Sequence, residues 1–320
     1  MNYTDNALNI LTLKTFKGIG NAWIVKNFHP DTTVESLVEL LNTKRKETDQ
    51  TEYITTQMFQ NTKQYIEGKI VALEGSVDGV IAFGDKNFAG HRGEVKPSEQ
   101  PVVLFYKGDI SLLEKTNKNI AVIGLLRPDA EIEAYERRVV RELVERGVTI
   151  VSGLALGCDT IAHIQTLESG GKTIAILPST LESINPASNR QLAYDIVQYG
   201  GLLLSEYYEE AKSKREFINR YIQRDRLQAL FSDGIVLSAS YTPNDQGLDS
   251  GSRHAMKYAQ GYKLKRAVIY EEEIHQANQM YDLNRYIVEE DEDVISIKES
   301  DLHTSIEKLL LTKPIQELLF

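Results

Sequence analysis

The stretch VTIVSGLALGCDTIAH, Val148 to His163, decides how the chain is read. A strand-like run, Val148–Ser152, enters a loop bracketed by Gly153 and Gly157, and Asp159 then opens a helix. A strand that ends in a tight glycine loop and feeds a helix N-terminus makes a phosphate site. The loop amides point outward, the helix dipole favours an anion, and glycine admits a close approach. The chain is therefore predicted to handle something phosphorylated.

Working outward, the same alternation repeats. Strands are predicted at 120–124, 148–152, 173–177, 202–205, 234–238 and 267–270. Helices are predicted at 131–146, 159–168, 188–199, about 215–230 and 251–260. Short β-branched strands alternating with amphipathic helices imply an α/β fold, a doubly wound, mostly parallel sheet covered on both faces. Two earlier runs, 79–84 and 101–106, read as additional strands. The loops at 124–130, 153–158, 178–187 and 239–250 leave strand carboxyl ends, where such sheets bind ligands near the switch point.

Residues 5–75 have helical spacing, broken at Phe16-Lys17-Gly18-Ile19-Gly20 and at His29-Pro30-Asp31, with 43–52 read as polar and exposed. The expected organisation is a small helical domain over 1–75, a Rossmann-like domain over 76–297 and a C-terminal helix over 298–320.

At 320 residues, 42% apolar and 26% charged, the composition is that of an ordinary globular protein. No apolar run approaches the ~20 residues of a membrane span, and the N-terminus lacks the pattern of a secretory signal, so a cytoplasmic protein is expected. Cys158 is the only cysteine, so no intrachain disulfide can form. It reads first as a small apolar residue under the loop, with a thiol activated by the helix N-terminus as the alternative.

The net charge of −10 at first disfavours a polyanionic partner, but the charge is uneven. Residues 271–320 hold thirteen acids and four bases, a balance of −9, and the preceding 270 residues are near neutral. Lys212 to Arg226 holds six bases and two acids, a local run able to meet a polyanion or to form a solvated helix face. The six histidines and one cysteine show no metal-ligand spacing, and no cofactor is expected.

The order of these pieces resembles the DprA/Smf family (DNA-processing protein A) over nearly the whole chain. AVIG at 121–124 is similar to the strand before that family's phosphate loop, and VSGLALGCDTIAH at 151–163 resembles its SGxAxGxDxxAH signature. GGKTIAIL at 170–177, NR at 189–190 and LLLSEY at 202–207 follow in family order. YIQRDRLQAL at 221–230 resembles its FPxRNRxIA element, and SGSRHAMKYA at 250–259 its SGSLxTAxxA helix start. The resemblance implies an extended Rossmann-like fold that binds single-stranded DNA as a homodimer. It also implies loading of a RecA-type recombinase during natural transformation, with no catalytic chemistry. Three positions depart from the pattern. Gly124-Leu125-Leu126-Arg127 replaces Gly-Ser-Arg, Asp225 replaces the Asn between the arginines, and Ser238 replaces an acid.

The candidate DNA- or phosphate-binding residues are Gly124, Arg127, Gly153, Gly157, Lys172, Arg224, Arg226, Ser250, Gly251 and Ser252. Arg127, at a strand carboxyl end, is placed for a bidentate phosphate contact. Arg224 and Arg226 project to different sides of one helix, one toward phosphate and the other toward an acid. Lys172, after Gly170-Gly171, is either a phosphate contact or a solvated lysine. Asp159 is expected as an N-cap accepting from the second or third amide of its helix. His163 reads as a satisfied buried histidine rather than as half of an acid–base pair. Tyr207, Tyr208, Phe217, Tyr221 and Tyr241 are candidates for base stacking, with core packing as the default for each. Two alternatives use the same pocket. One is a nucleoside-monophosphate N-glycosidic hydrolase, in which Glu206 or Asp159 would have to serve. The other is a nucleotide-signal sensor of an antiviral module. The single-stranded DNA reading requires an open electropositive trough at the carboxyl edge, not one closed by the protein's own carboxylates.

Overall fold

The computed structural model describes residues 1–47, 53–243 and 251–311. The expected contact at Ser250, and the C-terminal helix beyond residue 311, lie outside these residues. Strands β1 (Asn2–Tyr3), β2 (Gly79–Ala82), β3 (Val103–Gly108), β4 (Asn119–Ile123), β5 (Thr149–Ser152), β6 (Thr173–Ile176), β7 (Leu202–Ser205), β8 (Gly234–Leu237), β9 (Lys265–Ile269) and β10 (Ile295–Ile297) form one sheet. Its order is β1-β2-β3-β7-β6-β5-β4-β8-β9-β10. Every pairing from β7 to β10 is parallel, whereas β3 runs antiparallel to both β2 and β7.

The helices are α1 (Asp5–Lys14), α2 (Asn21–Asn27), α3 (Val34–Glu47), α4 (Thr56–Val71), α5 (Ala130–Glu145), α6 (Cys158–Glu168), α7 (Arg190–Gln198), α8 (Lys214–Leu230), α9 (Ser252–Gly261), α10 (Glu272–His275), α11 (Asp282–Glu290) and α12 (Leu302–Leu310). The chain winds from β4 through β5 and β6 to β7, then returns along α8 to β8 on the other side of β4. The switch point therefore lies between β4 and β8. There the loops after the two strands diverge and leave a crevice, as the doubly wound topology demands. The central strands are apolar on both sides because helices cover both faces; Ile120, Ala121, Val122 and Ile123 of β4 are all buried.

The N-terminal helices do not stand apart. β1 pairs with β2, and Leu8, Leu11, Leu37 and Phe59 share one core with Val80, Phe105, Ala175 and Leu203 of the sheet. α3 continues to Glu47, so part of the polar run expected as exposed chain is helical. The acidic segment is also structured: β10 adds in parallel to β9, and α12 packs between β10 and α5. Neither β1 nor β10 carries enough apolar alternation to be read alone, since each is two or three residues long.

Candidate functional site

The carboxyl ends of β4 and β5, the start of α9 and one face of α8 enclose a cleft of about 470 Å³ at the switch point. The 153–157 loop reaches it through Ala155. Gly157 has φ +72°, and a Cβ there would lie 2.2 Å from the Leu125 carbonyl oxygen, so only glycine fits. The Cys158 amide donates to that same carbonyl at 2.9 Å, joining the α6 start to the loop after β4. Gly124 is required by packing: a Cβ would meet the Cys158 sulfur at 2.5 Å. On the far wall Gly251, with φ +77°, is the N-cap of α9, and the Ser252 hydroxyl donates to the Gly124 carbonyl at 3.0 Å. Gly124, Gly251 and Ser252 thus line one crevice, while Gly153 and Gly157 belong to the loop whose Ala155 reaches it.

Gly153 needs no positive φ; it is glycine because Arg224 lies over it. A Cβ would sit 1.5 Å from Arg224 Nη1. Arg224 is buried, and its Nη1 donates to Asp159 Oδ2 at 3.2 Å and to Gln228 Oε1 at 3.0 Å, with Asp225 Oδ1 at 3.6 Å. Asp159 is not the helix cap. Gly157 holds that position, and the Asp159 carboxylate accepts from the Ala155 amide at 3.2 Å and from Arg224. The expectation that one of Arg224 and Arg226 faces phosphate while the other pairs with an acid is therefore corrected: carboxylates engage both, Asp159 and Asp225 at Arg224 and Glu206 at Arg226. Burial raises Asp225 to about 7 against the opposing pull of Arg224, with Asp159 adding to the rise. Near neutral pH this carboxyl is divided between its charged and neutral forms.

The other basic candidates separate. Arg127 is exposed just after β4, with no ion pair among the described residues. Arg226 turns away from the cleft, as a helix period requires, and is buried against the Glu206 carboxylate and the Glu99 carbonyl. Lys172 precedes β6 and so lies at the amino edge of the sheet, where its ammonium donates to the Tyr199 carbonyl at 2.6 Å. Its assignment to the same site is corrected by strand direction alone. The basic run over 212–226 is also half consumed. Arg220, Arg224 and Arg226 are buried, with Arg220 stacked 4.0 Å over the Tyr207 ring and paired with Glu216. Lys212, Lys214 and Arg215 are exposed.

His163 is fully buried. The Thr173 hydroxyl donates to the Ile150 carbonyl, so His163 Nδ1 donates to Thr173 at 2.7 Å. Burial and then Arg224 hold the ring neutral, lowered to about 3. Cys158 is equally buried, and its thiol is pushed up by burial and by Glu136, the opposite of an activated thiol. Glu206 and Asp159, the carboxylates a hydrolase would need, are held by Arg226 and Arg224. Phe217 and Tyr221 form an edge-to-face pair 5.1 Å apart on the cleft wall beside Ile218 and Ile222. Tyr208 instead packs on Phe105.

Two residues of this region went unread in the sequence. Gln228 reaches Arg224 one helical turn away. Glu136 is fully buried beneath the loop beside Cys158 and Ser238, and burial raises it to about 8. Its signal was available: it falls four residues after Ile132 and four before Val140, on the apolar face of α5. Among the described residues no three His, Cys, Asp or Glu side chains converge as a metal site, and no helix is long and apolar enough to cross a membrane.

Comparison with known proteins adds a lineage. Residues 79–299 match the family model for DNA recombination-mediator protein A. The chain is 32% identical over 139 residues to the DNA processing protein DprA of Bacillus subtilis, and 39% identical over 140 residues to that of Streptococcus pneumoniae. These matches cover 43% and 44% of this chain, and span 45% and 47% of the relatives' lengths. The solved structure of Streptococcus pneumoniae DNA processing protein A superposes with a TM-score of 0.64 at 22% identity, covering 92% of this chain and 99% of that one. The Helicobacter pylori protein, described with a single-stranded DNA binding mode, gives 0.54 at 27% identity, covering 70% of this chain and 99% of that one.

Proposed function

This chain belongs to the DNA recombination-mediator protein A (DprA/Smf) family, and from that premise we propose that it binds single-stranded DNA in the switch-point cleft. It would act as a recombination mediator in DNA uptake or processing. The observation that carries this reading is the composition of the cleft. A glycine loop and two helix starts converge on a crevice walled on one side by Phe217, Tyr221 and exposed Ile218. Amides and cations suit a phosphodiester, while aromatic faces suit unstacked bases, and a duplex presents no free base faces. With Arg224 engaged by Asp159 and Asp225, the phosphate charge falls to exposed Arg127, next in sequence to the cleft residue Leu126, and to the first turn of α9, where Arg253 and His254 line the cleft. Its likeness to the Helicobacter pylori protein supports the choice of ligand. A homodimer in the cytoplasm that delivers DNA to a RecA-type recombinase completes the reading.

The test is a binding comparison of oligo-dT, duplex DNA and mononucleotides at two salt concentrations, for the parent protein and Arg127→Ala. The reading expects preference for oligo-dT, weakening with salt, and a clear loss of affinity in the variant. Turnover of a mononucleotide, or tight nucleotide binding without DNA binding, would overturn it.

A further inference from the structure

We propose that the amino-terminal edge of the sheet carries a second anion site, a pocket for clustered phosphate groups. It opens at the same gap between β4 and β8 as the cleft, but at the other ends of those strands. Lys118 precedes β4, Asp233 precedes β8 and Lys263 precedes β9. The pocket measures about 600 Å³.

Its charge runs against that of the chain. In a protein of net charge −10, this pocket is lined, among the described residues, by Lys115, Lys118, Lys263 and Lys265, with Arg92 and a single carboxylate, Asp233. That carboxylate is already satisfied. Arg92 Nε donates to it at 3.1 Å and the Asn119 amide at 2.8 Å. Lys115 and Lys118 are exposed and make no ion pair among the described residues. Lys263 meets only Glu94, at 2.7 Å, and both side chains are about two-thirds exposed, so the pair is weak.

The pocket is also built rather than incidental. Arg92 is buried, and its guanidinium donates to the carbonyls of Leu113, Glu114 and Asn117, fixing the turn that presents Lys115. The Lys115 stem crosses Gly90, where a Cβ would sit 2.7 Å from its Cε. Lys263 supplies an independent sign. It occupies φ +59° just beyond the end of α9, a position that glycine fills without steric cost. The chain thus holds a lysine at the pocket wall in a conformation that favours glycine.

The ligand class follows from the side chains. Lysines act as point charges on phosphate, and no Phe, Tyr or Trp among the described residues lines the pocket, so bases are not read. The site therefore takes phosphates whatever the strandedness of a polynucleotide. A DNA backbone and a soluble oligophosphate share this chemistry.

Short blunt duplex DNA and tripolyphosphate are the probes, tested on the full chain and on two variants, Lys115→Gln/Lys118→Gln and Lys263→Gly. The double variant should lose roughly tenfold in affinity, with a salt dependence shallower by about 2 in log–log slope, the value for two lost phosphate contacts. Lys263→Gly should weaken binding while raising the thermal midpoint, a combination that a structural lysine would not produce. Binding of duplex assigns the site to a DNA backbone; binding of tripolyphosphate alone assigns it to a soluble oligophosphate, and either supports the site. Unchanged affinity of the double variant for both probes, or a lowered midpoint for Lys263→Gly, would overturn it. Arg127→Ala should leave the Lys115-dependent component intact, so this site and the cleft fail separately.

Discussion

At the scale of single residues, the cleft depends on what Gly153 lacks. The space a methyl group would need is filled by the Arg224 guanidinium, itself fixed by Asp159 and Gln228. Gly153→Ala should therefore expel a buried, paired charge. Chemical denaturation should show a loss of about 1–3 kcal/mol, typical of overpacking, and oligo-dT binding should fall with it. Asp225 sets a pH dependence. Its folded-state value of about 7 means that acidification adds a proton to the cleft and removes a negative charge. Oligo-dT binding should then be tighter near pH 6 than near pH 8, and Asp225→Asn should flatten the profile at the tighter level. The neighbours leave this assignment clear. Against burial, Arg224 is raised by Asp225 and Asp159 and stays charged, His163 is already neutral, and His254 is lowered by burial beside Arg253 and Lys257. A profile unchanged in Asp225→Asn would place the titrating group elsewhere.

At the scale of elements, α8 does two jobs on opposite sides. Its Arg226 face is locked into the core against Glu206, and its Phe217–Tyr221 face walls the cleft. Base stacking on an aromatic is worth about 1–3 kcal/mol per base. Phe217→Ala should thus weaken oligo-dT binding by about tenfold or more, with little change in melting temperature because Phe217 is exposed. Equal affinity would move the bases to another wall. The alternation of strands and helices from 119 to 269 was legible because strands buried on both faces read as short continuous apolar runs, while the helices carry a 3.6-residue period. The basic run at 212–226 misled for a related reason. A count of charges along a helix does not say which face is buried, and three of the four arginines here, Arg220, Arg224 and Arg226, turned inward.

Across the whole molecule, Glu136 couples stability to pH. Its folded-state value is raised from 4.5 to about 8, so the native state holds a proton that the unfolded chain has released. The stability this contributes is full below the unfolded value and drains as pH rises through the folded one, at about 1.4 kcal/mol for each pH unit between them. The melting temperature should therefore fall from about pH 5 to pH 8, and Glu136→Gln should flatten that fall. A slope unchanged in the variant would show another group to be responsible.

By itself the sequence determined the strand–loop–helix units and their order, because these rest on interactions between near neighbours in the chain; why Gly124, Gly153 and Gly157 must be glycine rests on residues 30 or more positions away. The sequence also carried the family, through motifs spread from Gly79 to Glu299. Only the tertiary structure decided which charges remain available. Arg224, Arg226 and Arg220 found carboxylates or rings from 1 to 65 residues away, and Lys172 was sent to the opposite edge by the direction of β6. A charge is a property of one residue, but its accessibility belongs to the packing around it. That packing is set by strand order and helix rotation, which no local pattern encodes.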